Sequence, residues 1–173
     1  TIFFKNKDIS IASMDENYFY NENRFMLRSS TIAKLLDLVS DEIHDSVLNV
    51  GSGLGYSSAL LSKISNKVFS IESSKSLHEQ EKEIFKSLDI NNIKSICEDF
   101  YTSQSLFMPF DLIFINGCLS SNADFFLGQL SLNGKMVCIE KNKNNVKKIV
   151  KYIKNKKIIN RSEFYMVNSP ILL

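Results

Sequence analysis

Ser46-Val47-Leu48-Asn49-Val50-Gly51-Ser52-Gly53-Leu54-Gly55-Tyr56-Ser57-Ser58-Ala59-Leu60-Leu61 is the stretch that decides the fold. Its apolar start reads as a strand, the three glycines as a turn and the remainder as a helix. In an open α/β sheet such a turn stands at the carboxyl end of the first strand, where these sheets bind ligands. Glycine serves there twice. It adopts backbone conformations closed to other residues, and it leaves no side chain between the main chain and a ligand. The first amides of the helix then face whatever is bound.

The spacing of the glycines narrows the ligand. A dinucleotide fingerprint, G-x-G-x-x-G, needs its third glycine at position 56. Tyr56 stands there, and Gly55 is the third glycine. Gly51, Gly53 and Gly55 after a strand look instead like the nucleoside-binding loop of S-adenosylmethionine (SAM) dependent methyltransferases. Two carboxylates strengthen that likeness. Glu72 ends the second strand, 21 positions after Gly51, where an acidic side chain can accept hydrogen bonds from both ribose hydroxyls. Asp99 follows the third strand, placed to accept from an exocyclic amino group such as adenine N6. One carboxylate after a strand is commonplace, a solvated loop residue or a cap; two at these strand ends complete a nucleoside site. The candidate cofactor set is Gly51, Ser52, Gly53, Gly55, Tyr56, Glu72, Ser73, Asp99, Phe100 and Asn116. The cofactor expected is SAM, leaving as S-adenosyl-L-homocysteine (SAH).

Upstream, Ile32, Leu35, Leu36 and Val39 recur at helical spacing behind Ser29 and Ser30, both good N-cap types, so a helix is expected to run to about Asp41. Residues 1–26 scatter Phe3, Phe4, Ile9, Ile11, Met14, Tyr18, Phe19, Tyr20 and Phe25 among polar residues without a period. They read as a loose arm packing aromatics onto the domain. Downstream, helices are expected over residues 56–65 and, capped by Ser74, to Leu88, with strands over 67–71 and 93–97. Residues 110–115 are nearly continuous apolar sequence, the mark of a central parallel strand. Asn116-Gly117 should then turn the chain into a helix over 123–130, before a strand over 135–139. Val146, Ile149, Val150 and Ile153 predict one more helix, its solvated side carrying the eight lysines of residues 141–157. The region 157–173 should return as strand. This alternation gives a doubly wound, mostly parallel, Rossmann-like α/β sheet with right-handed crossovers. One domain over 1–173 is expected, an arm at 1–27 and a core at 28–173.

Composition sets broad limits. The 173 residues are 44% hydrophobic and 23% charged, ordinary for a globular chain. A net charge of +2 is too small to imply a polyanion partner. No apolar run approaches the roughly 18 residues of a membrane span, so no membrane partner is expected. Cys97, Cys118 and Cys138 lack C-x-x-C spacing and suit reduced thiols of the cytosol, each read as a buried small hydrophobe.

Beyond the loop, residues 67–72, and 110–115 followed by a helix ending Gln129-Leu130, closely resemble bacterial protein-L-isoaspartate O-methyltransferase. The helix over 30–39 sits at the family's spacing ahead of the loop. Asn168-Ser169-Pro170-Ile171-Leu172 looks like the Pro-containing terminal segment of some members. The resemblance covers nearly the whole chain; the family's N-terminal helices would lie upstream of Thr1. It implies methylation of the α-carboxylate of isoaspartyl residues in damaged proteins, a repair reaction; the protein itself is expected to be a cytoplasmic monomer. A carboxylate is already a nucleophile and a sulfonium already carries a leaving group, so holding the two in line suffices without a general base.

Two departures from the family stand out. Asn49 replaces an acidic residue at the end of the first strand. The resemblance also puts Leu27 at the family's active-site serine and Ser29 at its proline, and leucine cannot orient a carboxylate. Arg28 could, through a charge-assisted pair, and Ser29 or Ser30 could add a hydroxyl. The plain alternative is a surface arginine and two capping serines. The catalytic candidates are thus Leu27, Arg28, Ser29 and Ser30, with no metal ligand. Other functions stay open: a SAM-binding homologue with lost or altered catalysis, or a methyltransferase for a small molecule or nucleic acid. Base methylation is disfavoured because Asn116-Gly117-Cys118-Leu119 stands where an Asn/Asp-Pro-Pro-aromatic motif would. A metal-assisted catechol enzyme would want clustered carboxylates, and Glu140 is alone. His44 and His78 have no partner at ligand spacing.

Overall fold

The apolar runs on either side of the glycines become strands buried on both faces, as strands inside a parallel sheet must be. The computed structural model describes residues 2–3, 14–21, 23–101, 109–120, 123–156 and 158–172. Its centre is a seven-stranded sheet of β3 (His44–Val50), β4 (Ser65–Ile71), β5 (Ile93–Ile96), β6 (Phe110–Leu119), β7 (Leu130–Lys141), β8 (Lys147–Lys154) and β9 (Ile159–Met166). Their order is β5-β4-β3-β6-β7-β8-β9. From β5 to β7 all pairings are parallel, and β8 and β9 add antiparallel strands. Helices α1 (Ser29–Asp37), α2 (Tyr56–Leu61), α3 (Lys75–Ser87) and α4 (Ala123–Gly128) fall around the parallel strands. Val47, Leu48, Val68, Leu112, Ile113, Phe114, Ile115 and Val137 are fully buried. The doubly wound, mostly parallel α/β class read from the sequence is the observed one.

Several local expectations are corrected. The helix expected around residues 146–153 is β8. Ile149 and Val150, neighbours pointing to opposite faces of a strand, are both fully buried, which an amphipathic helix does not require and an interior strand does. The hairpin into β8 is made by Asn142, whose side-chain oxygen accepts from the amides of Asn144 at 2.9 Å and Val146 at 3.0 Å. Asn145 takes a φ of +61° there. The lysines lie on strand faces and ends: Lys151 Nζ donates to Leu38 O and Lys154 Nζ to Leu130 O, each at 2.7 Å.

Asn116-Gly117 does not turn the chain. β6 continues through it to Leu119 with an irregular register, because pairing with Ile139 and Glu140 resumes beyond the irregularity. The arm contains, within its described residues, an antiparallel hairpin of β1 (Tyr18–Asn21) and β2 (Arg24–Met26); Phe4, Ile9 and Ile11 lie outside the described residues. Neither Ser29 nor Ser30 caps α1, which ends at Asp37 rather than near Asp41. The cap comes from the arm: Asp15 accepts from the Ser30 amide at 2.9 Å and from the Ser30 hydroxyl. Those bonds hold the Asp15 carboxyl below its usual range. Cys97 is exposed past the end of edge strand β5, while Cys118 and Cys138 are buried.

Truncation at Ile149 should therefore be costly. Ile149→Ala is expected to lower unfolding stability by about 2–4 kcal/mol through a cavity between two paired strands. Lys143→Ala in the adjacent exposed turn should change it by less than about 0.5 kcal/mol. Urea unfolding of the two variants checks this; equal losses would contradict an interior strand.

Candidate functional site

The three glycines need their special freedom. Gly51, Gly53 and Gly55 take φ of +72°, +61° and +86°, the left-handed region that side chains rarely adopt. The loop is stitched to the end of β4: the Gly51 amide donates to Ile71 O at 3.0 Å, and the Gly53 amide to Glu72 Oε2 at 3.0 Å. Glu72 is wholly buried. Its Oε1 accepts from the Ser74 amide at 2.8 Å, where α3 begins, and from Arg24 Nε at 3.0 Å. Arg24 comes from β2. Its guanidinium also donates to the Ser73 hydroxyl and lies over the Phe100 ring, 5.1 Å from the centroid.

Glu72, Ser73 and Phe100, three of the expected cofactor residues, are thus brought together around Arg24. Gly51, Ser52, Gly53 and Gly55 lie beside them in the loop. Side chains cover its open faces. A Cβ placed on Gly53 would stand 2.6 Å from the Tyr20 ring, and one on Gly51 would stand 2.7 Å from Leu172. The Tyr20 hydroxyl is buried beside Leu54 without a hydrogen bond of good geometry, and burial pushes its pKa well up. Asp99 is exposed and accepts from the Tyr101 amide at 2.9 Å. Tyr56 is half-buried and meets Phe3 edge-on at 5.3 Å between centroids.

Asn116 points elsewhere. Its amide donates to Asn49 Oδ1 at 2.6 Å and Val50 O at 2.9 Å. Asn49 Nδ2 donates in turn to Ser58 at 2.6 Å, Ser58 bonds Ser70 at 2.9 Å, and Ser70 donates to Glu81 Oε2 at 3.1 Å. Ser52, in the glycine loop, donates to the same oxygen at 2.7 Å, and Ser95 to Oε1. One polar chain therefore runs behind the loop from β6 through β3, α2 and β4 to α3. Burial raises the Glu81 pKa to about 7, opposed by the three serine donors. His78 closes the chain through Ser95 at 2.8 Å, and desolvation lowers its pKa.

The catalytic candidates do not converge. Leu27 is in the core. Arg28 is half-buried, donates from Nε to Thr31 Oγ1 at 3.3 Å, and lines a cleft of about 420 Å³ with Lys147, Asn145 and Asn168. Ser29 is exposed and Ser30 serves Asp15. Among the described residues no group of His, Cys, Asp and Glu could hold a metal ion, and no helix is long and apolar enough to cross a membrane.

Sequence reasoning missed Tyr20, Arg24, Glu81 and Leu172. Glu81 carried a signal: Leu77, Glu81 and Phe85 share one helical stripe, so a carboxylate lay on the buried face. Arg24 carried none, since its partner is 48 positions away.

Residues 6–168 match the family model described as protein-L-isoaspartate(D-aspartate) O-methyltransferase. A protein of Vibrio campbellii named protein-L-isoaspartate O-methyltransferase is 37% identical over 75% of this chain, an alignment that spans 64% of that relative. A Helicobacter pylori protein of the same name is 29% identical, with coverage of 93% of this chain and 83% of the relative. A Plasmodium falciparum structure named for the same activity, in complex with SAH, superposes with a TM-score of 0.83 at 19% identity, covering 99% of this chain and 84% of that one.

The buried Glu81 sets a pH dependence. Its folded pKa, raised to about 7, exceeds that of an unfolded glutamate, so the folded state holds the proton more tightly. Its contribution is fully present below the ordinary glutamate range and is lost as pH rises towards about 7. Glu81→Gln should flatten that decline in denaturant unfolding measured across this window. Parallel curves for wild type and variant would show that Glu81 does not titrate there.

Proposed function

The chain belongs to the protein-L-isoaspartate(D-aspartate) O-methyltransferase family, and from that premise we propose that it methylates the α-carboxylate of isoaspartyl residues with SAM as donor. The observation that carries the reading is the Glu72 carboxylate, bonded to the Gly53 amide at the heart of the loop. A ribose diol asks for an acceptor at that point. The Gly53 backbone beside it carries no side chain and takes a φ of +61°, as the close approach of a nucleoside asks. The residues present therefore fit the cofactor.

SAM supplies a methyl group on a sulfonium, which an ionised carboxylate attacks without help from a base. The chain's own task is then to bind and orient. The glycine loop and Glu72 would hold the nucleoside, and the apolar core around Leu27 would keep water from the reacting centre. Arg28 would pair with the acceptor carboxylate, with Lys147 adding positive charge across the same cleft. Free cysteines at 97, 118 and 138 suit a reducing compartment, and we take the protein to act as a cytoplasmic monomer.

One observation favours a second reading, a SAM-binding relative with altered or lost transfer. Leu27, at the position that the family resemblance gives to serine, is packed into the core and offers no side-chain donor.

Incubation with methyl-labelled SAM and an isoaspartyl peptide, beside its aspartyl twin, separates the two. Label is expected on the isoaspartyl peptide alone. Arg28→Ala should lower kcat/KM roughly tenfold or more, since a charge-assisted hydrogen bond contributes about 1.5–3 kcal/mol. SAH binding without any label transfer would leave the second reading.

A further inference from the structure

We propose that the β1–β2 hairpin is an internal occupant of the nucleoside site: Arg24 takes the contacts with Glu72, Ser73 and Phe100 that a nucleoside would take, and SAM binds only as the hairpin withdraws. This rests on the cofactor reading above.

The count of acceptor sites on Glu72 makes the two occupants exclusive. An ionised carboxylate has about four lone-pair sites. The Gly53 amide uses one on Oε2 and the Ser74 amide one on Oε1; both are backbone groups fixed by the loop and by the start of α3. Arg24 Nε takes a third. A ribose diol needs two, so it cannot be gripped by both hydroxyls until Arg24 leaves. The second contact repeats the pattern. The planar guanidinium lies over the Phe100 ring as an adenine would, 5.1 Å from its centroid. Tyr20 adds a third overlap. Its ring presses on Gly53 from the side that the missing Cβ leaves open, the approach that a glycine exists to keep clear.

The tip of the hairpin, from Phe19 to Arg24, is the part that can lift away. The hairpin's strands have four and three residues with an irregular register, and a two-stranded ribbon of that size is marginal by itself. Phe19 and Asn21 are exposed, and the Tyr20 hydroxyl is buried at a cost in unmade hydrogen bonding. Tyr18, Phe25 and Met26 anchor the hairpin's ends in the core, while the Arg24–Glu72 pair and the Phe100 stack hold its tip over the site. A ligand that offers Glu72 two hydroxyls and Phe100 an aromatic base replaces both. The apparent affinity for SAM is the intrinsic affinity scaled by the fraction of chains with the hairpin withdrawn.

Calorimetric titration with SAH of wild type, Arg24→Gln and Tyr20→Ala tests this, with amide hydrogen exchange of residues 18–26 measured with and without SAH. Arg24→Gln should bind SAH about tenfold more tightly, as expected when a closed state is removed, and Tyr20→Ala should also bind more tightly. In wild type, SAH should speed exchange in the hairpin. If Arg24→Gln fails to fold, Tyr20→Ala and the exchange data decide. Wild-type binding that both variants match or weaken, or hairpin amides protected by SAH, would overturn the gate and leave the cofactor reading standing. No SAH binding by any of the three would overturn both.

Discussion

The carboxylate of Glu72 ties three separate pieces of chain to one point. Its oxygens accept from the Gly53 amide in the loop, the Ser74 amide at the start of α3, and Arg24 in the hairpin. A wholly buried carboxylate is costly unless its lone pairs are filled, so wherever Glu72 is buried these donors must come with it. That requirement fixes the path of the glycine loop against the end of β4. It also draws the hairpin, 48 positions earlier in sequence, onto the mouth of the site. Loop geometry, helix start and occupancy of the cleft are consequences of one charge.

A second constraint lies behind the loop. Asn49, Ser70 and Asn116 interrupt strands that are otherwise apolar, and all three are buried. Each finds its partner in the chain of hydrogen bonds that ends on Glu81. Such chains stiffen cooperatively when every member is satisfied. Ser52 joins the network from the loop itself, so the backbone that would cradle a ligand is braced from behind by polar contacts and not by packing alone.

The sheet was legible because its parallel strands are buried on both faces and show in sequence as continuous apolar runs; the turn was legible because three glycines in five residues mark left-handed φ values that other side chains rarely take. β8 was not. Val146, Ile149, Val150 and Ile153 fit a helical period, and a short apolar run satisfies strand and helix alike until its neighbours are known. The Asn142 to Asn145 turn, which forces the antiparallel return, was the signal passed over. At the site, the loop residues and Glu72 could be named from spacing. Their occupants could not, since Arg24, Tyr20 and Leu172 reach them through tertiary contacts with no local pattern. Leu27 and Arg28, adjacent in sequence, part in space: one fills the core and the other lines a cleft.

The most direct measurement is a crystal structure of the protein grown with SAH. Both ribose hydroxyls are expected on Glu72, with Arg24 Nε moved out of hydrogen-bonding distance and the Tyr20 ring lifted from Gly53. SAH seated away from the glycine loop, or a ribose bound at Glu72 with Arg24 still in place, would contradict the claim that one carboxylate serves two competing partners.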